Sequence, residues 1–251
     1  MNYYETDRAL AEYLLFHYGT PEAVLPFDPG PRAALEFPAR CVSECLERDR
    51  LRPGARALDL GCAVGRATFE LARHCARVVG IDWSARLIDA AQRLRRVGTL
   101  DFAYADEGDL TLEATARVPV TIDRRRVAFE HGDALNLRGD LGAFDVVLAA
   151  NLIDRLEDPR RFLARVPALV APGGQLILTS PYTWLPQYTP REHWLGGFER
   201  DGRRVKTLDT LKEILAPNFQ LAACRDLPFL IREHARKFQW SVAEASVWNR
   251  R

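Results

Sequence analysis

The sequence has very little lysine: Lys206, Lys212 and Lys237 are the only three in 251 residues, and arginine supplies the rest of the cationic charge. Its formal net charge is +1, so the excess of positive charge that marks nucleic-acid binding is missing and no nucleic-acid partner is expected. No apolar run approaches the roughly 20 residues that a membrane helix needs, which excludes a membrane partner of that kind. The opening "MNYYETDRALAEY" is acidic and polar, unlike a secretory signal. Five cysteines without a CxxC pair suggest neither a disulfide framework nor a zinc site. A reduced, cytoplasmic protein is the expectation. His74 and His131 lack partners at ligand spacing, so no metal is expected. Repeats and low-complexity segments are absent too.

What is present is ordinary for a globular chain, with 47% hydrophobic and 27% charged residues. The length suits one large domain, and no linker divides it. "TDRALAEYLLFHYG" reads as a helix capped by Thr6 or Asp7 and stopped at Gly19. "PARCVSECLERDR" reads as a second helix over 38–50. Strand 56–60, helix 65–75, strand "RVVGID" and helix "SARLIDAAQRLRRV" follow. "RVAFEHGD" and "FDVVLAANLI" are further strands, the second apolar on both faces. Helix "DPRRFLARVPALV" and strand "GQLILTS" come next. Alternating strands and helices predict a parallel sheet with right-handed crossovers. The tail breaks that rhythm, because "QLAACRDL" and "WSVAEASVW" have no helix between them and read as an antiparallel closing pair. The segment 99–127 is too long for an ordinary connection and reads as an inserted flap.

The chemistry centres on "ALDLGCAVGRAT", an apolar strand followed by Gly61 and Gly65. Glycines at a strand-to-helix turn let backbone approach a ligand. A dinucleotide fingerprint would need glycine at positions 63 and 66, where Ala63 and Arg66 stand, so that motif fails. An acid, Asp82, ends the next strand 21 residues after Gly61, about the spacing at which a carboxylate reaches ribose hydroxyls. Asp133 lies just beyond the third strand. Taken in order, "ALDLGCAVG", "VVGIDWS", "EHGDA" and "PGGQLILTS" resemble the motifs of class I S-adenosylmethionine-dependent methyltransferases over about residues 50–180.

The resemblance implies an α/β, Rossmann-like fold with a seven-stranded, mostly parallel sheet, an antiparallel last strand and helices on both faces. It implies S-adenosylmethionine as cofactor and S-adenosylhomocysteine as product. Asp59 and the backbone of Gly61, Cys62 and Ala63, in the loop that Gly65 closes, would hold the methionine end. Asp82 would accept from both ribose hydroxyls, or merely cap the helix after Ser84. Trp83 would flank the adenine, or pack in the core. Asp133 with Ala134 would meet the adenine amine, or Asp133 would only shape a turn. Asn151, ending the fourth strand, would face the transferred methyl. Catechol-type relatives carry metal-binding acids after that strand, where this chain has Ala149, Ala150 and Asn151, so again no metal is implied. Members of the family often have glycine where Ala63 stands.

The two ends add a narrower likeness. "YYETDRALAEYLLFHYG", "LTSPYTWLPQYTPREHWLGGF" and "LPFLIREHARKFQWSVAEASVW" resemble the ovothiol-pathway methyltransferase domain, which acts on 5-thiohistidine (4-mercaptohistidine). That implies a single domain over 1–251, with an N-terminal helical lid at 1–50, the flap at 99–127 and a substrate-side insertion at 181–206. It implies methyl transfer to an imidazole ring nitrogen, giving ovothiol. It also implies a functional link to a separate iron-dependent sulfoxide synthase, to which such domains are commonly fused. The chain would then be a stand-alone version or an excised domain.

The thiolate sulfur is the softer nucleophile, so orientation must select the ring nitrogen, and no obligatory base is expected. An amino-acid acceptor carries a carboxylate suited to arginine. Ligands of parallel sheets sit at the carboxyl ends of strands, which points to Tyr182, Trp184, Arg232, His234 and Arg236. Arg232 or Arg236 would grip the carboxylate or be solvated. His234 would be the one base candidate. Tyr3 and Tyr4 would close over the site or pack the first helix, with Tyr4 close to the chemistry. Arg155 would reach the acceptor or pair with Glu157 or Asp158. Two rival functions remain open: methylation of another small acceptor, and a non-catalytic S-adenosylmethionine-binding module.

Overall fold

The computed structural model describes residues 3–251. After a short turn at Tyr3–Glu5 comes α1 (Asp7–Tyr18), started by Thr6, whose Oγ1 accepts the Ala9 N–H at 3.1 Å. The helix ends where the Gly19 N–H donates to the Leu15 carbonyl at 2.8 Å. α2 (Pro21–Val24) and α3 (Phe37–Ser43) complete this section. The helix expected over 38–50 is thus shorter. Beyond Ser43 the chain turns so that Cys45 and Leu46 enter the core and the Glu47 N–H donates to Gln175 Oε1 at 2.9 Å.

Then follow β1 (Arg56–Leu60), α4 (Arg66–Leu71), β2 (Arg77–Asp82), α5 (Ala85–Val97), β3 (Thr99–Ala105), β4 (Thr111–Arg117), β5 (Val127–His131), β6 (Phe144–Ala150), α6 (Pro159–Leu169), β7 (Val170–Ser180), β8 (Phe198–Arg200), β9 (Arg203–Val205), α7 (Thr207–Leu215), β10 (Phe219–His234) and β11 (Lys237–Arg250). Seven strands form one sheet in the order β10-β11-β7-β6-β1-β2-β5. β5, β2, β1, β6 and β7 run parallel, and β11 is antiparallel to both β7 and β10. This is the Rossmann-like fold expected from the motifs.

Side-chain alternation explains the continuous apolar strands. Ala57, Val146 and Leu148 join the core beneath α3, α4 and α5, while Leu58, Leu60, Val147 and Ala149 join the core beneath α6. The helices after β1 and after β6 therefore lie on opposite faces. Between those two strands the chain order reverses, and a crevice opens at their carboxyl ends.

The segments outside the sheet pair locally. β3 and β4 make a hairpin within 99–127, and β8 and β9 make a small one within 181–206. The closing strands are longer than the runs 220–227 and 240–248 suggest. β7 pairs with β11 over Glu244–Asn249, and the rest of β10–β11 continues past β7 as a two-stranded ribbon. At its tip the Ala235 N–H donates to the Asp106 carbonyl at 2.9 Å, docking the ribbon on the β3–β4 hairpin.

Candidate active site

A cavity of about 820 Å³ lies at the crevice, within the range of small-molecule sites. Its floor is the turn after β1. Gly61 and Gly65 have φ of +72° and +85°, and a Cβ on Gly65 would collide with the Phe129 ring. Ala63 also lies in the left-handed region, with φ +47°, where an L-residue is strained. Its N–H donates to Asp82 Oδ2 at 2.8 Å, which holds it there. This chain thus keeps a glycine-like turn without the glycine.

Four features of that floor fit S-adenosylmethionine. Asp59 is 1% exposed, lines the cavity and takes the Thr68 hydroxyl on Oδ2 at 2.6 Å. Burial pushes its carboxyl up to about 7, and a bound ammonium group would offset the cost of ionising it. Asp82 accepts the Ala63 N–H on one oxygen and the Ser84 N–H on the other at 2.9 Å, and the remaining lone pairs can take two hydroxyls. Burial raises this carboxyl as well, against the pull of those two N–H groups. Trp83 is 56% exposed at the rim with its carbonyl bonded to His131, which rules out core packing and leaves a flat face for a ring. Asp133 and Ala134 also line the cavity. Asp133 spends one oxygen on the Leu135 N–H and the other on the Asn136 amide, so it does shape a turn there.

Asn151 follows β6 at φ +51°, a conformation asparagine tolerates better than most residues. Its N–H donates to the Thr179 carbonyl at 2.8 Å and its Oδ1 accepts the Thr179 hydroxyl at 3.0 Å, which aims the rest of the amide at the cavity it lines.

The opposite wall is aromatic. The Tyr4 ring stands 5.9 Å from Tyr13 and 6.5 Å from Tyr188, while Tyr3 packs edge-on against it at 5.6 Å. The Tyr3 hydroxyl donates to Glu12, and the Tyr4 carbonyl accepts from Ser84 Oγ at 3.0 Å. Both tyrosines therefore line the cavity and pack α1 at once. Arg155 lies with its guanidinium 5.0 Å from the Tyr188 ring centroid. Its Nη1 donates to the Asp154 carbonyl and Oδ2, both at 2.9 Å, and to the Thr183 carbonyl at 3.0 Å. Its partner is thus buried Asp154, not Glu157 or Asp158. Burial raises the Tyr4 phenol against the Arg155 guanidinium and drives the Tyr13 phenol well up, so both stay protonated.

The other expected acceptor residues lie elsewhere. Arg232 is 4% exposed, donates to the Ala23 carbonyl at 2.6 Å, pairs with Asp106 at 3.6 Å and lies over the Tyr104 ring. His234 and Arg236 sit at the ribbon tip, outside the cavity lining. The strands run on past the sheet edge and carry all three away. Tyr182 and Trp184 turn to the other side of β7, where Tyr182 donates to Glu244 at 2.7 Å and the Trp184 indole to Thr207 at 3.0 Å. Arg155 is the one arginine or lysine among the described lining residues.

Tyr13, His17 and Tyr188 are among the lining residues that the sequence did not mark as candidates. Tyr13 and His17 had a signal: two polar aromatics four residues apart on the face of α1 that is otherwise apolar. Tyr188 had none.

Residues 58–176 match a family described as "Methyltransferase domain". The chain is 27% identical over 135 residues to a ubiquinone biosynthesis O-methyltransferase of Coxiella burnetii, covering 54% of this chain and 47% of that protein. It is 26% identical over 178 residues to ajmaline N-methyltransferase of Rauvolfia serpentina, covering 69% and 53%. It thus spans about half the length of these curated relatives. The fold is similar to that of the N-methyltransferase NodS of Bradyrhizobium japonicum in complex with S-adenosyl-L-homocysteine, with a TM-score of 0.51 at 18% identity over 96% of this chain and 98% of that one.

Proposed function

We propose that this chain is a class I S-adenosylmethionine-dependent methyltransferase that methylates a ring nitrogen of a small, carboxylate-bearing acceptor, with the imidazole of 5-thiohistidine as the specific candidate; the matched methyltransferase domain and the fold support the class. The bound cofactor supplies a methyl group on a positively charged sulfur. Asp59 would hold its ammonium group, Asp82 its ribose hydroxyls, and Trp83 its adenine.

One observation supports the choice of nitrogen: among the described residues, the wall facing Asn151 holds no buried base, its one carboxylate, Glu157, being exposed. Tyr4 and Tyr13 are held protonated, and burial, helped by the Arg66 guanidinium, drives His17 down to about 3. An alcohol or neutral phenol must lose a proton to attack, so such acceptors need a base at hand. A neutral imidazole nitrogen already has a free lone pair. What remains for the protein is orientation, and a single guanidinium on an aromatic wall suits a planar acceptor with a carboxylate. Arg155 therefore takes the role that the sequence had suggested for Arg232 or Arg236. The tyrosine rings would hold the ring plane and turn its sulfur away from the methyl.

Incubation with isotopically labelled methyl donor and 5-thiohistidine should give labelled N-methyl product. Arg155→Met should raise the Michaelis constant for this acceptor about tenfold or more, the loss of one charge-assisted pair, with donor affinity unchanged. The decarboxylated acceptor should be poor with the unaltered protein. Donor binding without transfer to thiohistidine would overturn the acceptor; transfer to a phenol in its place would overturn the choice of nitrogen as well.

A further inference from the structure

His17 lies on the cavity wall, one helical turn after Tyr13, with the two rings 5.8 Å apart. The turns differ in what they face. Tyr13 touches Tyr4 on the acceptor wall, whereas His17 meets the glycine turn: its Nδ1 accepts the Arg66 N–H at 3.4 Å. The neighbouring Tyr18 hydroxyl donates to the Val64 carbonyl at 2.8 Å, which fixes this end of α1 on the same turn. A neutral imidazole that accepts at Nδ1 carries its proton on Nε2. No protein atom among the described residues accepts that proton. That N–H is left without a protein partner in the wall of the cavity that His17 lines, where a ligand can take it.

We propose that His17 Nε2–H is the hydrogen-bond donor for the carboxylate of the methyl donor's amino-acid end. This rests on the cofactor named above. That end carries its ammonium and carboxylate groups on one carbon. If Asp59 takes the ammonium, the carboxylate lies within a few ångströms, beside two acids, Asp59 and Asp82. It needs a donor there, and Arg155, the one lining arginine among the described residues, belongs to the far wall. His17 supplies an N–H without adding a charge that would pair with Asp59 in place of the ligand. Burial keeps the imidazole neutral, so this donor persists across the physiological pH range.

Calorimetric titration with S-adenosylhomocysteine, which has the same amino-acid end, tests this without turnover. His17→Phe should bind it at least about tenfold more weakly than the unaltered protein, and His17→Gln, which retains an N–H, should recover to within about threefold. The decarboxylated ligand should bind the unaltered protein about tenfold more weakly and should not distinguish it from His17→Phe. Ligand-free thermal unfolding checks the fold of each variant. If His17→Phe does not fold, the pair of ligands on the unaltered protein decides. Equal affinity for both ligands, or equal S-adenosylhomocysteine binding by His17→Phe, overturns the role of His17 and leaves the cofactor assignment standing. No binding of S-adenosylhomocysteine by the unaltered protein overturns both.

Discussion

Asp59 and His17 are buried groups shifted in opposite senses, and each makes a pH-dependent statement. The Asp59 carboxyl lies near 7 in the fold against an ordinary value of 3.8. The folded chain therefore holds more protons than the unfolded one between about pH 4 and 7, and stability falls as pH rises through that window. His17 works the other way: with a folded value near 3, it makes stability fall as pH drops below 6.5. Asp59→Asn isolates the acid. At pH 8 without ligand this variant should be more stable than the unaltered protein by about 1–3 kcal/mol, an advantage that shrinks toward pH 5, as thermal unfolding across pH would show. Donor affinity should move in the reverse direction. A cation needs the ionised acid, so binding should weaken up to tenfold per pH unit below about 7, and a flat profile by titration would remove Asp59 from the ammonium site. Asp82→Ala should cost donor binding about 1–3 kcal/mol while the sheet persists. It also frees the strained Ala63 N–H, so Asp82→Asn should bind better than Asp82→Ala.

At the scale of elements, the turn between β1 and α4 depends on a residue without a side chain. Gly65→Ala combines a positive φ with a clash against Phe129 on β5, and should lower stability by about 2–4 kcal/mol in denaturant unfolding. The β10–β11 ribbon makes a contrasting case. Arg232→Ala should destabilise by about 1–3 kcal/mol, because it empties a buried position between α2 and the β3–β4 hairpin, yet the acceptor's Michaelis constant should not change. Arg236→Met, at the exposed tip, should change neither. These outcomes would separate an arginine that ties two hairpins together from one that meets a substrate. They also mark what the sequence could reveal. Strand "RALDL", the capped helices and the glycine turn carry their signals within a few residues, through periodicity and turn chemistry, and all were legible. The length of the ribbon was not. Seven residues separate Leu227 from His234, and at about 3.3 Å each they carry the tip some 20 Å beyond the point where a strand ending at 227 would stop.

In the molecule as a whole, most of the donor side of the cavity comes from one stretch of chain, 59–134, and the acceptor side from several. Asp59 lies in β1, Asp82 ends β2 and Asp133 follows β5, an order the sequence displays. Tyr4, Tyr13, Arg155 and Tyr188 are brought together only by packing, and no local pattern links them. For that reason Arg155 was visible as a candidate, but its Asp154 partner and its neighbour Tyr188 were not. The segment from Tyr3 through α1 spans both sides, through Ser84 and the glycine turn on one and Tyr188 on the other. Saturating S-adenosylhomocysteine should therefore slow amide hydrogen exchange across residues 3–19, whereas exchange in β3–β4 should change little.

That shared wall also bears on the timing of the cycle. With the proposed roles of Tyr13 and His17, α1 would meet both ligands and could not swing away from one while staying closed on the other. Spent donor and methylated product would then leave through the same opening event, and fresh molecules of both would enter before it shuts. The frequency of that event would then set a ceiling on turnover that no improvement in the alignment of methyl and acceptor could raise. A chain whose contacts at Ser84 and Val64 were loosened would exchange its ligands faster and hold each of them more weakly, trading residence for throughput.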